Sequence, residues 1–368
     1  MARQIIDTET QNPGWVGDIA KIAFTKTNEN FKEIYDELGE GGSIAARIPG
    51  KNRLINGNMQ FAQRTNNGTV LNAAAYTADR WRCSAVGSSA CNWGIGGHAA
   101  GEVSGATRFL GFNIVAGTTS AWMGQHIEGV DTLAGGAVTV SFYMRSNVPG
   151  KKVGVTCQQI FGSGGSSLVA VAGDVITLGS AFQKFVVTLD LPSISGKTVG
   201  ANSNLLLVFY LCDATVHGGQ LANQTGLFEI SRVQLEEGAT ATSFEVRPVG
   251  LELMLCQRYY EKSYSIDVYP SASDNAGRCA LGNSSNTNGQ QFTGQRFKVT
   301  KRATPSVTVY PNNNVNGAPT PAGFVNQDDN SRTAVSVVNQ NSNGFEIIYS
   351  NGPGRWGGWY HFVADAEL

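Results

Sequence analysis

Four histidines, His98, His126, His217 and His361, are this chain's candidates for proton transfer or metal ligation. None belongs to an H-E-x-x-H run and no two stand four residues apart, so the helix of a zinc hydrolase has no support. No G-x-S-x-G elbow presents a nucleophilic serine. Ser195-Gly196-Lys197-Thr198 has the ending of a phosphate loop, but Leu191 stands where the leading glycine belongs and no helical pattern follows, so the segment reads as a turn. Two acid pairs, Glu128 with Asp131 and Glu236 with Glu237, could flank a glycosidic bond. On a strand, however, Glu236 and Glu237 point to opposite faces, and salt bridges or turns are the plainer use of all four. One aromatic cluster remains: Trp356, Trp359, Tyr360 and His361, with Arg355 beside them, after Gly352-Pro353-Gly354. Exposed rings there could stack on the apolar face of a polyhydroxylated ligand while polar groups read its hydroxyls. The same rings could instead point inward from a strand, and both readings stay open. Trp81 reads as core; Trp93 and Trp122 carry no signal either way.

The elements that would position these residues are mainly β. Val138, Val140, Phe142 and Met144 alternate with Thr139, Ser141, Tyr143 and Arg145, the pattern of a half-buried strand, and Phe185, Val187, Leu189 and Leu191 repeat it. Turns such as Gly135-Gly136 and Asn147-Val148-Pro149-Gly150 separate such runs at the spacing of an antiparallel sandwich. Leu205 to Leu211 is apolar on both faces, which predicts a strand covered on one side by the opposite sheet and on the other by a neighbouring subunit. Val249 to Tyr260 reads as a short apolar helix. Beyond it, strands are expected near Gln291–Lys301, Ser306–Tyr310, Thr333–Val338, Phe345–Ser350 and Trp359–Ala366.

Near the N-terminus Asp18 can cap a helix over residues 19–38, with Phe24, Phe31 and Leu38 seven apart and Ile34 on the same stripe. So narrow a stripe suits packing against copies of itself better than covering a core. Glu40-Gly41-Gly42-Ser43 then ends the helix as a hinge. The expected organisation is an N-terminal attachment segment over residues 1–50, a jelly-roll-like antiparallel β-sandwich over 51–250 and a C-terminal β-rich tip domain over 251–368.

Composition narrows the function classes. With 27 basic and 28 acidic side chains the net charge is −1, and no basic patch is evident, so nucleic acid is not an expected partner. No apolar run approaches the length of about 18 residues that a membrane span needs. Six cysteines without zinc-type spacing read as buried free thiols. Met1 to Trp15 is polar where a signal peptide would be apolar, so folding in a cytoplasm is expected. The thin supply of large apolar side chains in the C-terminal region predicts a core shared among subunits.

Several landmarks resemble proteins of bacteriophage tails. Gly17-Asp18, Ala23-Phe24, Lys26, Asn28, Asn30-Phe31, Glu33 and Tyr35 resemble a helical segment of tail fibre and baseplate proteins. Leu54-Ile55-Asn56-Gly57-Asn58-Met59, with Phe61, Gln63-Arg64 and Tyr76-Thr77-Ala78-Asp79-Arg80-Trp81, resembles the opening of a tail-fibre sandwich domain. Val233 to Gly238, Phe244-Glu245, Arg247-Pro248 and Leu255 to Tyr260 resemble its close, and Ala364-Asp365-Ala366-Glu367-Leu368 resembles the end of a fibre tip. The resemblance implies a homotrimeric, non-enzymatic virion protein, joined to other tail parts through its N-terminus, with a carbohydrate-binding-type jelly roll that attaches to a bacterial surface glycan or protein receptor. It implies no cofactor, although sandwiches of this type can hold a structural calcium. The competing expectations are a polysaccharide-trimming tail enzyme, depolymerase or deacetylase, and a purely structural baseplate adaptor.

Overall fold

The computed structural model describes residues 50–272, 274–281, 290–311, 323–326, 332–350 and 358–368, together with 11–13, 15–16, 22 and 25–27. Near the start, Gln11–Asn12 pairs with Trp15–Val16 around Pro13, and residues 22 and 25–27 are helical. Phe24, Phe31, Ile34 and Leu38, the predicted stripe, lie outside the described residues.

Strands of the sandwich pair into two six-stranded sheets. The first runs in spatial order Val169–Thr177, Lys152–Ile160, Asn204–Asp213, Thr118–Glu128, Trp81–Gly87 and Ala73–Tyr76; the second runs Gln183–Leu191, Gly136–Ser146, Gly226–Glu237, Arg108–Ile114, Cys91–Gly97 and Asn67–Val70. Every pairing within them is antiparallel, and most consecutive strands switch sheets, as in a jelly roll, the exceptions being three hairpin pairs that stay within one sheet. The alternation read from the sequence sets the inner faces: Val138, Val140, Phe142 and Met144 are fully buried, and Phe142 meets Phe209 of the other sheet edge-on at 4.9 Å. Thr139 and Ser141, on the opposite face, are also buried. The chain after the last strand returns over them, and the Thr139 hydroxyl donates to the Gly238 carbonyl at 2.7 Å. Five of the six cysteines are buried free thiols, and Cys279 is half-buried.

Asn204–Asp213 corrects one expectation. Its outward residues Leu206 and Val208 are 5% and 1% exposed within a single chain, so no neighbouring subunit is needed to cover them. The strand is central in its sheet, and half-buried His126, Gln158, Trp122 and Tyr210 crowd the adjacent outer positions. Burying each aliphatic side chain is worth about 1.5–3 kcal/mol, which stabilises the face that holds the neighbouring rings.

The C-terminal unit is organised around Gly358–Asp365. Tyr260–Lys262 and Cys279–Ala280 pair along one of its edges, Ser306–Pro311 and Gly323–Asn326 along the other, and the sheet continues through Arg332–Asn341, Gly344–Ser350 and Gln290–Arg296. These strands fall close to those expected from the sequence. The helix Val249–Gln257 precedes them. A second hydrophobic cluster, which includes Val309, Ile347, Tyr360 and Phe362, lies under one face of the sheet and is built within one chain.

The sandwich and the C-terminal unit meet through arginines. Arg80 is ion-paired with Glu367, Arg64 with Asp365 at 2.9 Å, and Arg258 with Glu128 at 2.9 Å. The Tyr76 hydroxyl donates to the Leu368 carbonyl at 2.8 Å. Arg302 donates to the carbonyls of Ala366 and Glu367. No helix among the described residues is long and apolar enough to cross a membrane.

Candidate ligand-binding face

The aromatic cluster singled out in the sequence is split by the fold. Arg355 and Trp356 lie outside the described residues. Trp359 is half-buried and its ring is covered by the Arg278 guanidinium, 4.1 Å from the ring centre. Tyr360 and His361 are fully buried, which corrects their reading as ligand contacts. The cause is topological: Gly358–Asp365 has strands on both edges, Tyr360 faces the core, and His361 faces a loop that closes over it. The His361 ring stacks on Tyr264 at 3.9 Å, its Nδ1 meets Ser263 Oγ at 2.9 Å, and its Nε2 meets the Asp274 carbonyl at 2.8 Å. With both nitrogens engaged and the ring buried, it has no face to offer a ligand.

The outer face of the first sheet is different. Along Thr118–Glu128 the outward positions read Trp122, Gly124 and His126; on the adjacent strand they read Leu206, Val208 and Tyr210. Trp122 stands directly opposite Tyr210 and, on its other side, opposite Ser84. Both rings are half-buried, so each keeps part of its surface toward solvent. Directly opposed residues of an antiparallel pair have Cβ atoms about 5 Å apart, so the two side chains rise from neighbouring positions of one outer-face platform. Gly124 leaves the strand bare between Trp122 and His126, and any Cβ there would lie 2.4 Å from the Leu207 carbonyl oxygen.

A loop walls one end of the platform. His217 has a φ of +48° and Gly218 of +63°, which turns the chain back over the sheet. The His217 ring lies over Gly154, where a Cβ would come within 2.4 Å of it, and meets Tyr210 edge-on at 6.1 Å. His217 Nε2 is 2.9 Å from Thr156 Oγ1. Gln158 Nε2 donates to the Tyr210 hydroxyl at 3.0 Å, which leaves the hydroxyl proton free to be donated to a ligand.

The polar groups here are neutral or already paired. Burial pushes the His126 imidazole down to about 4, aided by the charges of Arg82 and Arg80 against a hydrogen bond with Asn204. Because Arg82 Nη1 donates to His126 Nε2 at 3.1 Å, the proton sits on Nδ1 and is donated to Asn204 Oδ1 at 2.8 Å. Burial lowers His217 as well. At the platform's edge, burial would raise the Asp213 carboxyl, but hydrogen bonds from Thr215 and Ser120 outweigh it and hold the group below its usual range. A platform of two rings, bordered by neutral donors and acceptors and by the Arg82 guanidinium, suits a ligand with apolar C–H faces and many hydroxyls.

The acids considered for hydrolysis have other tasks. Glu128 is held by Arg258 through both carboxylate oxygens, at 3.1 and 2.9 Å, and the balance of burial and those bonds lowers its pKa. Glu236 is buried and accepts from Gln234 Nε2, Thr242 N and Thr242 Oγ1. Asp131 and Glu237 are exposed. None is placed as a protonated acid facing a second free carboxylate. Among the described residues no three His, Cys, Asp or Glu side chains gather as a metal-ligand group.

The sequence leaves Trp122 undecided and does not single out Tyr210. The available signal was Trp122-Met123-Gly124-Gln125-His126, an alternation whose outward set is aromatic and polar with a glycine between, but its strand partner could not be read from it.

A sandwich with a solvent-facing aromatic and amide sheet surface is the class that this geometry defines. No protein-family model matches the chain, and no curated protein does. Solved structures with a similar fold include the enzymatically active domain of tailspike protein 4 of bacteriophage CBA120, 14% identical, with a TM-score of 0.33 over 52% of this chain. The match spans 22% of that tailspike chain. A xylan-binding carbohydrate-binding module of Paenibacillus barcinonensis is 13% identical, covering 43% of this chain and 92% of the module with a TM-score of 0.31. A family 11 carbohydrate-binding module of Clostridium thermocellum is 11% identical, covering 51% of this chain and 96% of the module with a TM-score of 0.29.

Proposed function

We propose that this chain is a non-enzymatic attachment protein of a bacteriophage tail, and that its sandwich binds a neutral segment of a bacterial surface glycan on the Trp122–Tyr210 platform. The observation that carries the reading is the cross-strand register of those two half-buried rings, with His126 and His217 both neutral beside them. Sugar rings present C–H faces to aromatic side chains and hydroxyls to neutral donors and acceptors, which is the chemistry available here. The pairing of Glu128 and the hydrogen bonding of Asp213 favour binding over cleavage, because neither carboxyl is poised as a general acid. In this reading the N-terminal segment joins three copies to one another and to other tail proteins in the virion. Three weak sites held together then gain affinity through effective concentration.

The test uses the full chain and cells of a bacterium whose surface polysaccharide it adsorbs to. Trp122→Ala and Tyr210→Ala are each expected to weaken binding about tenfold, equivalent to ~1.4 kcal/mol, without releasing any sugar or acetate into the supernatant. Unchanged binding in both variants would remove the platform from the reading. Released oligosaccharide or acetate would replace attachment by hydrolysis.

A further inference from the structure

A second open concavity lies where the sandwich meets the C-terminal unit, and no part of the Trp122–Tyr210 platform contributes to it. Its volume is about 570 Å³, within the range of about 300–1,000 Å³ common to small-ligand sites, which favour such junctions. Its floor is the face of the C-terminal sheet turned away from the core. In register, Ser306 stands opposite Asp365, Thr308 opposite Val363 and Tyr310 opposite His361. The intervening residues Val309, Phe362 and Ala364 are buried in the second cluster, so Ser306, Thr308 and Tyr310 are left as a ladder of three hydroxyls on the open side. Ser306 is exposed, and Thr308 and Tyr310 are half-buried.

We infer that this cleft is a second binding site, for a single uncharged sugar residue, built jointly by the sandwich and the C-terminal unit. The charges around it cancel locally: Arg64 donates to Asp365 Oδ2 at 2.9 Å and lies over the Tyr260 ring at 3.7 Å, while Glu367 is taken up by Arg80. Among the described residues lining the cleft, the one cation, Arg64, is ion-paired, which disfavours an acidic sugar. Asp365, its side chain 40% exposed, can still accept from a ligand hydroxyl, and the three floor hydroxyls can donate or accept. The Tyr310 ring supplies the apolar contact.

Saturation-transfer NMR on the full chain tests this, with methyl glycosides of glucose, galactose, mannose and N-acetylglucosamine at millimolar concentration. Trp122→Ala isolates the cleft from the platform. At least one glycoside should still bind the Trp122→Ala protein, and adding Tyr310→Ala or Ser306→Arg should weaken that residual binding at least about tenfold. Ser306 is exposed, so its replacement keeps the test valid even where Tyr310→Ala lowers the melting temperature. A methyl glucuronide should bind more weakly than the neutral sugars. No residual binding in Trp122→Ala, residual binding that survives both cleft variants, or a preference for the glucuronide would each overturn the inference. Failure of the platform reading is a separate result, read from Trp122→Ala and Tyr210→Ala both leaving cell binding unchanged.

Discussion

The guanidinium of Arg80 lies 3.4 Å from the centre of the Tyr259 ring, and the same side chain pairs with Glu367 and donates to the His126 carbonyl. Three distant parts of the chain therefore converge on one arginine that is 1% exposed: the strand Thr118–Glu128, the turn after the helix Val249–Gln257, and the C-terminus. Burial raises the Tyr259 phenol to about 12, so the ring stays neutral beneath the cation. A desolvated cation over an aromatic face contributes about 2 kcal/mol.

Arg80→Ala should accordingly destabilise the protein by about 3–5 kcal/mol, because the buried Glu367 loses its main partner and keeps only a 3.4 Å contact with Arg64, while the Tyr259 ring loses its cation. Calorimetry should show the sandwich and the C-terminal unit melting separately. Arg80→Lys should recover only part of the loss, since an ammonium lacks the planar fork and stacks less well. A single, unshifted transition in Arg80→Ala would deny the arginine this role.

The buried pair of Lys301 and Glu261 offers a second test. Their charged atoms are 2.6 Å apart with side chains 0% and 1% exposed, and Lys301 Nζ also donates to the carbonyls of Gln257 and Val299. Glu261→Gln is expected to cost about 3–5 kcal/mol by stranding a buried ammonium. Replacing both residues by Met should cost less than the two single changes added together, measured by urea unfolding as a double-mutant cycle. Strict additivity would mean that the pair is not coupled.

Acid should weaken the fold through its histidines. His126 binds its proton at about 4 in the folded chain and near 6.5 when unfolded, and burial lowers His217 and His361 as well. Between those values the unfolded chain holds more protons, so stability is full above about 6.5 and is lost as pH falls toward 4. Urea midpoints at pH 7 and pH 5 should differ in that direction, and His126→Gln should shrink the difference. Equal midpoints at the two pH values would contradict neutral burial of these rings.

The N-terminal stripe can be tested by mass. Replacing Phe24, Phe31 and Ile34 together by Ser is expected to lower the oligomeric state seen in light scattering, because a stripe spaced by seven suits packing against copies of itself. An unchanged mass would separate assembly from this helix.

Much of the fold was legible because it depends on local alternation. Val138 to Met144 and Phe185 to Leu191 carry their inward and outward sides in their own residues, and the five C-terminal strands fall close to where their β-rich runs lie. The landmarks that resemble tail proteins were also legible, but their role was not. Arg64, Asp79, Arg80, Glu252, Tyr259 and Glu367 form the hydrogen bonds and ion pairs of the joint and its surroundings: Asp79 binds the backbone and side chain of Gln63, and Glu252 binds Arg247 and the backbone of Asn56.

The residues in their own order determined a β-rich chain with buried thiols, an unremarkable charge and none of the common catalytic spacings, since each of these follows from composition or from neighbours a few positions apart. Only the tertiary structure decided which aromatic residues face solvent. Tyr360 and His361 alternate like surface candidates, yet the core covers Tyr360 on one face and a loop covers His361 on the other, whereas Trp122 gains its place only when Tyr210, far along the chain, comes into register beside it. Strand order and register are long-range choices set by how whole faces pack, and a short window of sequence does not contain them.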